Sequence, residues 1–170
     1  MKNTLPKFLL AFALAPILPM GCKGDKPAEK QEAEVKALPA PANGSPIAAE
    51  FVEFTGDGDE RGMRVLLYNT GDKTAAGYFL IARYYDADDK LLRVKVGTPF
   101  EKDTDFTSLS GGRYKCEPKK NATLDLDGMM LSVPAEAKRA EVLMTKVSAV
   151  GADGMAIEDW WSQEGDDWPE

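Results

Sequence analysis

Tyr78-Phe79-Leu80-Ile81-Ala82-Arg83-Tyr84-Tyr85, closed by Asp86-Ala87-Asp88-Asp89, is the stretch that decides the fold. A short run of aromatic and aliphatic side chains that ends in a cluster of turn formers reads as a β-strand. Phe79 and Ile81 alternate with Leu80, Ala82 and Tyr84. Both faces are therefore apolar, as a strand in the middle of a sheet requires.

The same texture repeats on either side. Residues 47–54 lead into Gly56-Asp57-Gly58-Asp59, and residues 64–68 lead into Asn69-Thr70-Gly71-Asp72. Further on, 91–96 run to Gly97, 104–109 to Gly111-Gly112, and 123–126 to Asp127-Gly128. Strand-length runs at this spacing indicate an all-β sandwich or barrel over residues 47–161. The segment 134–147 is contested. Ala137, Ala140, Leu143, Met144 and Val147 have helical spacing, and Pro134 suits a first helical turn. Residues 142–150 are β-rich and end at Gly151-Ala152-Asp153-Gly154, a hairpin-like turn into 155–161. The expectation is a short helical turn over 134–138, then a strand.

Asn69-Thr70-Gly71, Arg83-Tyr84-Tyr85-Asp86 and Lys90-Leu91-Leu92 together resemble the FxLYD-type immunoglobulin-like domains of bacterial envelope proteins. The closing run from Lys146-Val147 through Asp153-Gly154 to Trp160 looks like the last hairpin of such domains. The resemblance covers residues 47–161. It implies a single antiparallel immunoglobulin-like β-sandwich used for contact or spacing, and it carries over no catalytic residue.

Ahead of the domain, Lys2 and Lys7 supply positive charge and residues 8–18 an apolar run too short to span a bilayer. The run closes with Pro19-Met20-Gly21-Cys22, which resembles the lipobox of bacterial lipoproteins. That resemblance implies a signal peptide over 1–21 and a mature chain beginning at Cys22. Its thiol would carry a diacylglyceryl thioether and its amine an acyl chain such as palmitate. A lipid with two or more chains anchors durably where one chain is marginal. The expected location is the bacterial cell envelope. Lys23 follows Cys22 where enteric inner-membrane lipoproteins carry Asp, which favours the outer membrane over the inner. Residues 22–46 mix Lys, Glu, Ala and Pro with almost no large apolar side chains, and read as a disordered linker of about 25–30 Å mean span.

The net charge is −7, and it grows more negative once Lys2 and Lys7 leave with the leader. Such a chain is a poor fit for nucleic acid, which needs clustered Lys and Arg. The chain contains no His, which excludes His-based nucleophilic triads and His-containing metal sites. With Cys22 lipidated, Cys116 has no intrachain partner; a half-buried free thiol, an intermolecular disulfide and a reactive thiol are the readings open to it.

Three further clusters invite chemistry. Asp57, Asp59 and Glu60 are spaced somewhat like a calcium loop, but Arg61 and Tyr68 occupy ligand positions, so a polar turn is the plainer reading. Asp86, Asp88 and Asp89 form a second acidic turn, and Arg113, Lys115, Lys119 and Lys120 a basic patch that reads first as a solvated loop face. The acidic tail 162–170 follows Trp160 and Trp161 and contains Trp168, so aromatic rings and carboxylates are interleaved there. In a regular strand Trp160 and Trp161 point to opposite faces, one into the core and one out. Trp160, Trp161 and Trp168 are the candidate partner-binding residues. No metal or cofactor is expected. The function expected is that of a membrane-anchored, non-enzymatic binding or assembly module, held by its N-terminal lipid and contacting another envelope protein. A small-ligand or calcium-binding sandwich is the alternative, and a carboxylate hydrolase comes third.

Overall fold

The structure, a computed structural model, describes residues 35–94, 103–128, 131–165 and 168–169. The expected signal peptide, Cys22 and the first part of the linker lie outside the described residues, as do residues 95 and 96 of the fourth expected strand.

Among the described residues eight strands form two antiparallel sheets. The first sheet holds β1 (Ile47–Thr55), β2 (Gly62–Asn69) and β6 (Asn121–Leu126) in the order β1-β2-β6. In the second, β3 (Ala75–Tyr85) pairs along its whole length with β7 (Arg139–Val150), which in turn pairs with β8 (Ile157–Ser162). The other edge of β3 is shared end to end by β5 (Thr107–Cys116), opposite residues 75–82, and β4 (Leu91–Leu92), opposite Tyr84 and Tyr85. The stretch around Tyr78 is thus the central strand of the larger sheet.

The sandwich follows from alternation. Along β2, Met63, Val65 and Leu67 turn inward and are fully buried. From β3, Leu80, Ala82 and Tyr84 meet them, and Met144 and Val147 of β7 join the same cluster. Leu124 and Leu126 complete it from β6. On the outer side of the first sheet Arg64 lies between Glu53 and Asp125, bonded to them at 2.5 and 2.6 Å respectively, so that face is charged and one guanidinium is shared by two carboxylates. Asp89 takes the left-handed conformation (φ 59°) that closes the β3–β4 turn, and Asp86 Oδ1 caps the same turn by accepting from the N–H groups of Asp88 and Lys90.

Several expectations are corrected. The strand expected to stop at Gly111-Gly112 runs on to Cys116. Gly111 serves close approach, since a Cβ there would stand 2.6 Å from the Tyr78 hydroxyl. The expected helical turn at 134–138 is one hydrogen-bonded turn, Ala137 N–H to Pro134 O. The Arg61 guanidinium donates to the carbonyls of Pro134, Ala135 and Ala137, which holds that backbone in a turn. The last strand begins at Ile157 rather than 155.

The described part of the expected linker is docked. The main chain of Lys36 exchanges two hydrogen bonds of 2.8 Å with the Asn121 side chain, Leu38 is buried, and Asn43 donates to Met144 O and Gln163 Oε1. Residues 36–46 form a strap that crosses from β6 past β1 to β7.

Candidate functional site

The strands divide the molecule into two ends. At one end Asn69 N–H donates to Lys120 O, Lys119 N–H to Asn69 O, and Val150 N–H to Thr74 O. These bonds gather the β2–β3, β5–β6 and β7–β8 turns. Buried Asn69 ties them together: its amide donates to Lys73 O and Cys116 O, and its Oδ1 accepts from Gly71 N–H. At the opposite end lie the β1–β2 turn with Asp57 and Glu60, the β3–β4 turn with Asp86 to Asp89, and the β6–β7 connection.

The outer face of the second sheet differs from that of the first. Phe79 stands on it 49% exposed, opposite Ser110 of β5 and Lys146 of β7. Across the β7–β8 hairpin, Met155 is 85% and Ile157 59% exposed. Asp153 Oδ1 accepts from the N–H groups of Met155 and Ala156, which sets the shape of this turn and lowers the Asp153 pKa. Between Phe79 and the hairpin runs a groove of about 830 Å³ whose lining includes Gly77, Ser110, Gly111 and Ser148. Phe79, Met155 and Ile157 thus place three exposed large apolar side chains along one groove. A second groove, of about 490 Å³, lies under the strap between Leu38, Ala48 and Met144.

Further along the same outer face the chain covers itself. Gln163 N–H donates to Thr145 O, and the Trp168 ring stacks on the Arg83 guanidinium at 4.6 Å. Ile81, on the same side of β3, is only 1% exposed. Tyr85 is sandwiched by Arg139, 3.8 Å from its ring centre, and its hydroxyl donates to Glu141 at 2.7 Å. Among the described residues, the groove is a part of this face that the tail leaves bare.

The residues singled out from sequence fall as follows. Trp160, Trp161 and Trp168 are all half-buried. The register against β7 pairs Val147 with Trp161 and Ser148 with Asp159, so Trp160 is the extra residue of a bulge. The simple alternation of the two rings is lost: both pack on the core cluster, and Trp160 also covers Gly71. Cys22 lies outside the described residues. Cys116 is fully buried rather than half-buried, its Sγ faces Lys120 O at 3.3 Å, and burial pushes its thiol up to about 11. That is the setting of an unreactive structural cysteine. Lys119 donates to Thr70 O, and Lys115 sits on β5 rather than in a loop. Among the described residues no three His, Cys, Asp or Glu side chains converge in a way that could hold a metal ion.

Phe79, Met155 and Ile157 were not singled out in the sequence. A signal was present. Met155 and Ile157 follow the Gly151–Gly154 turn two apart, ahead of the acidic Glu158 and Asp159.

No protein-family model matches the chain, and none of the curated proteins is significantly similar to it. One solved structure, the X-ray structure of Northeast Structural Genomics Consortium target SoR45, is 12% identical over 66% of this chain and 77% of that chain, with a TM-score of 0.26.

Proposed function

We propose that this protein is a bacterial envelope lipoprotein, anchored by lipid on Cys22, whose β-sandwich acts as a non-enzymatic contact module. The observation that carries the contact role is the groove beside Phe79, Met155 and Ile157: exposed apolar area on a rigid sheet face and a short hairpin. Such area contributes binding free energy when it is desolvated. The carboxylates of the turns offer no comparable case for catalysis. Asp86 caps its own turn, and Asp89 pairs with Arg139 at 2.6 Å. The lipid anchor rests on the leader ending in Gly21-Cys22, and outer-membrane placement on Lys23.

The test uses site-specific photo-crosslinkers in intact cells, one in place of Ile157 and one in place of Asp88 at the far end. The reading predicts a discrete adduct, to lipid or protein, from position 157 and none from position 88. Equal yields at the two positions would show that the groove is not a contact surface.

A further inference from the structure

We infer that the occupant of the Phe79–Met155–Ile157 surface is the lipid bilayer itself, so that the sandwich stands on the membrane with its β7–β8 hairpin down. This rests on the lipid anchor proposed above and adds to it an orientation and a second membrane contact.

The first argument is where the tether joins the domain. Lys36, among the described residues the first with a hydrogen bond to the sandwich, is held by Asn121, and Asn121 pairs with Tyr68 one residue before Asn69. Asn69 is the hub of the end that carries the β7–β8 hairpin, through Lys73 and Lys120. The chain running back to Cys22 therefore leaves from the same end that presents Met155. The second argument is length. With residues 36–46 docked, the tether shrinks to the 13 residue steps from Cys22 to Val35. Even fully extended these reach about 45 Å, comparable to the roughly 35–40 Å length of β3 or β7 at the usual rise per residue. A domain held that closely, and by that end, meets the bilayer hairpin first.

The third argument is the chemistry of the two ends. The far end presents Asp57, Glu60, Asp86, Asp88, Asp89, Asp127 and Glu136 against Arg61, Lys90, Lys138 and Arg139, an acidic excess that a negatively charged leaflet repels. The hairpin end mixes Lys73, Lys115 and Lys120 with Asp72, Glu117 and Asp153 and is close to neutral, while its apolar side chains are the most exposed large ones of the second sheet. Met155 sits at the tip, turned outward by the two hydrogen bonds to Asp153, and can enter the headgroup region without moving the sheet. Ile157 opens β8 two residues on, and Phe79 stands farther up the same sheet face, four residues beyond Ala75, at the other side of the groove.

The lipidated full-length protein tests this. An environment-sensitive dye is attached to Met155→Cys, or to Asp88→Cys as the distal control; buried Cys116 does not compete for label. Both are reconstituted in phosphatidylethanolamine–phosphatidylglycerol vesicles containing doxyl-labelled phosphatidylcholine. The orientation predicts a blue shift and several-fold stronger quenching at position 155 than at 88, with the difference reduced by a further Phe79→Asp and Ile157→Asp exchange. Mass spectrometry of the same sample separates the two claims. A chain without lipid on Cys22 overturns the anchor and the seating together. A lipidated chain quenched equally at both positions overturns the seating alone. A dye at 155 that is exposed in vesicles but shielded in native membranes assigns the surface to a protein and overturns it as well.

Discussion

Trp160 lies so close over the β2–β3 turn that a Cβ on Gly71 would stand 2.4 Å from its Cζ2. A methyl group there must displace the ring, so Gly71→Ala should cost about 1–3 kcal/mol in urea denaturation. In a Trp160→Ala background that cost should fall below about 0.5 kcal/mol, because the two changes share one contact. An equal cost in both backgrounds would place the strain elsewhere. Cys116 makes a prediction in pH. Burial raises its thiol from an ordinary 9.0 to about 11, and likewise the Tyr84 hydroxyl from 10.0 to about 12. Both groups are neutral when protonated and the fold favours that form. Their contribution is complete below the unfolded values and is lost as pH rises through the folded ones. The melting temperature of the wild type should therefore fall more steeply between pH 9.0 and about 11 than that of Cys116→Ala. Parallel curves would mean that the buried thiol titrates normally.

At the scale of elements the strap is the least expected part. Removing the Leu38 side chain from its site with Leu38→Ser should cost roughly 1.5–3 kcal/mol of local burial. Trypsin cleavage after Lys36 should then rise about tenfold or more over the wild type. Unchanged cleavage would show that the strap is not held by Leu38. The strap was hidden in the sequence because a single buried Leu among Pro and Ala residues makes no periodic pattern; its other contacts include hydrogen bonds to Asn121, Met144 and Gln163, far away in the chain. The strands at 47–55 and 75–85 were legible because their own side chains repeat with period two and turn formers bound them. β5 was misread at Gly111 because close approach to Tyr78 and a turn both call for glycine, and only the partner strand distinguishes them. At 134–138 the apolar spacing was real, but Arg61, over seventy positions earlier, takes the carbonyls. The candidate surface was the least legible. Trp dominated the reading by residue type, yet each of the three Trp finds intramolecular cover, while Phe79, Met155 and Ile157 are brought together only by the fold of the hairpin over the sheet.

At the scale of the whole molecule the sandwich has two unlike ends and a groove lined by Phe79, Met155 and Ile157 on one outer face, to which the proposed lipid anchor on Cys22 adds a tether. The strands place Met155 and Asp88 at opposite ends, and the docked strap brings the tether to the end with Met155. The proposed anchor and the seating on the membrane both depend on Cys22 being the lipid-bearing N-terminus. The measurement that tests it most directly is mass spectrometry of the N-terminal peptide from membrane-fraction protein, paired with fractionation of Cys22→Ser. The expected result is a mature chain that begins at Cys22 with a diacylglyceryl thioether and an acylated amine, and a Cys22→Ser variant that is no longer processed by lipid-dependent cleavage and leaves the membrane fraction. An unmodified Cys22 peptide, or a Cys22→Ser variant that is processed and membrane-bound like the wild type, would contradict it.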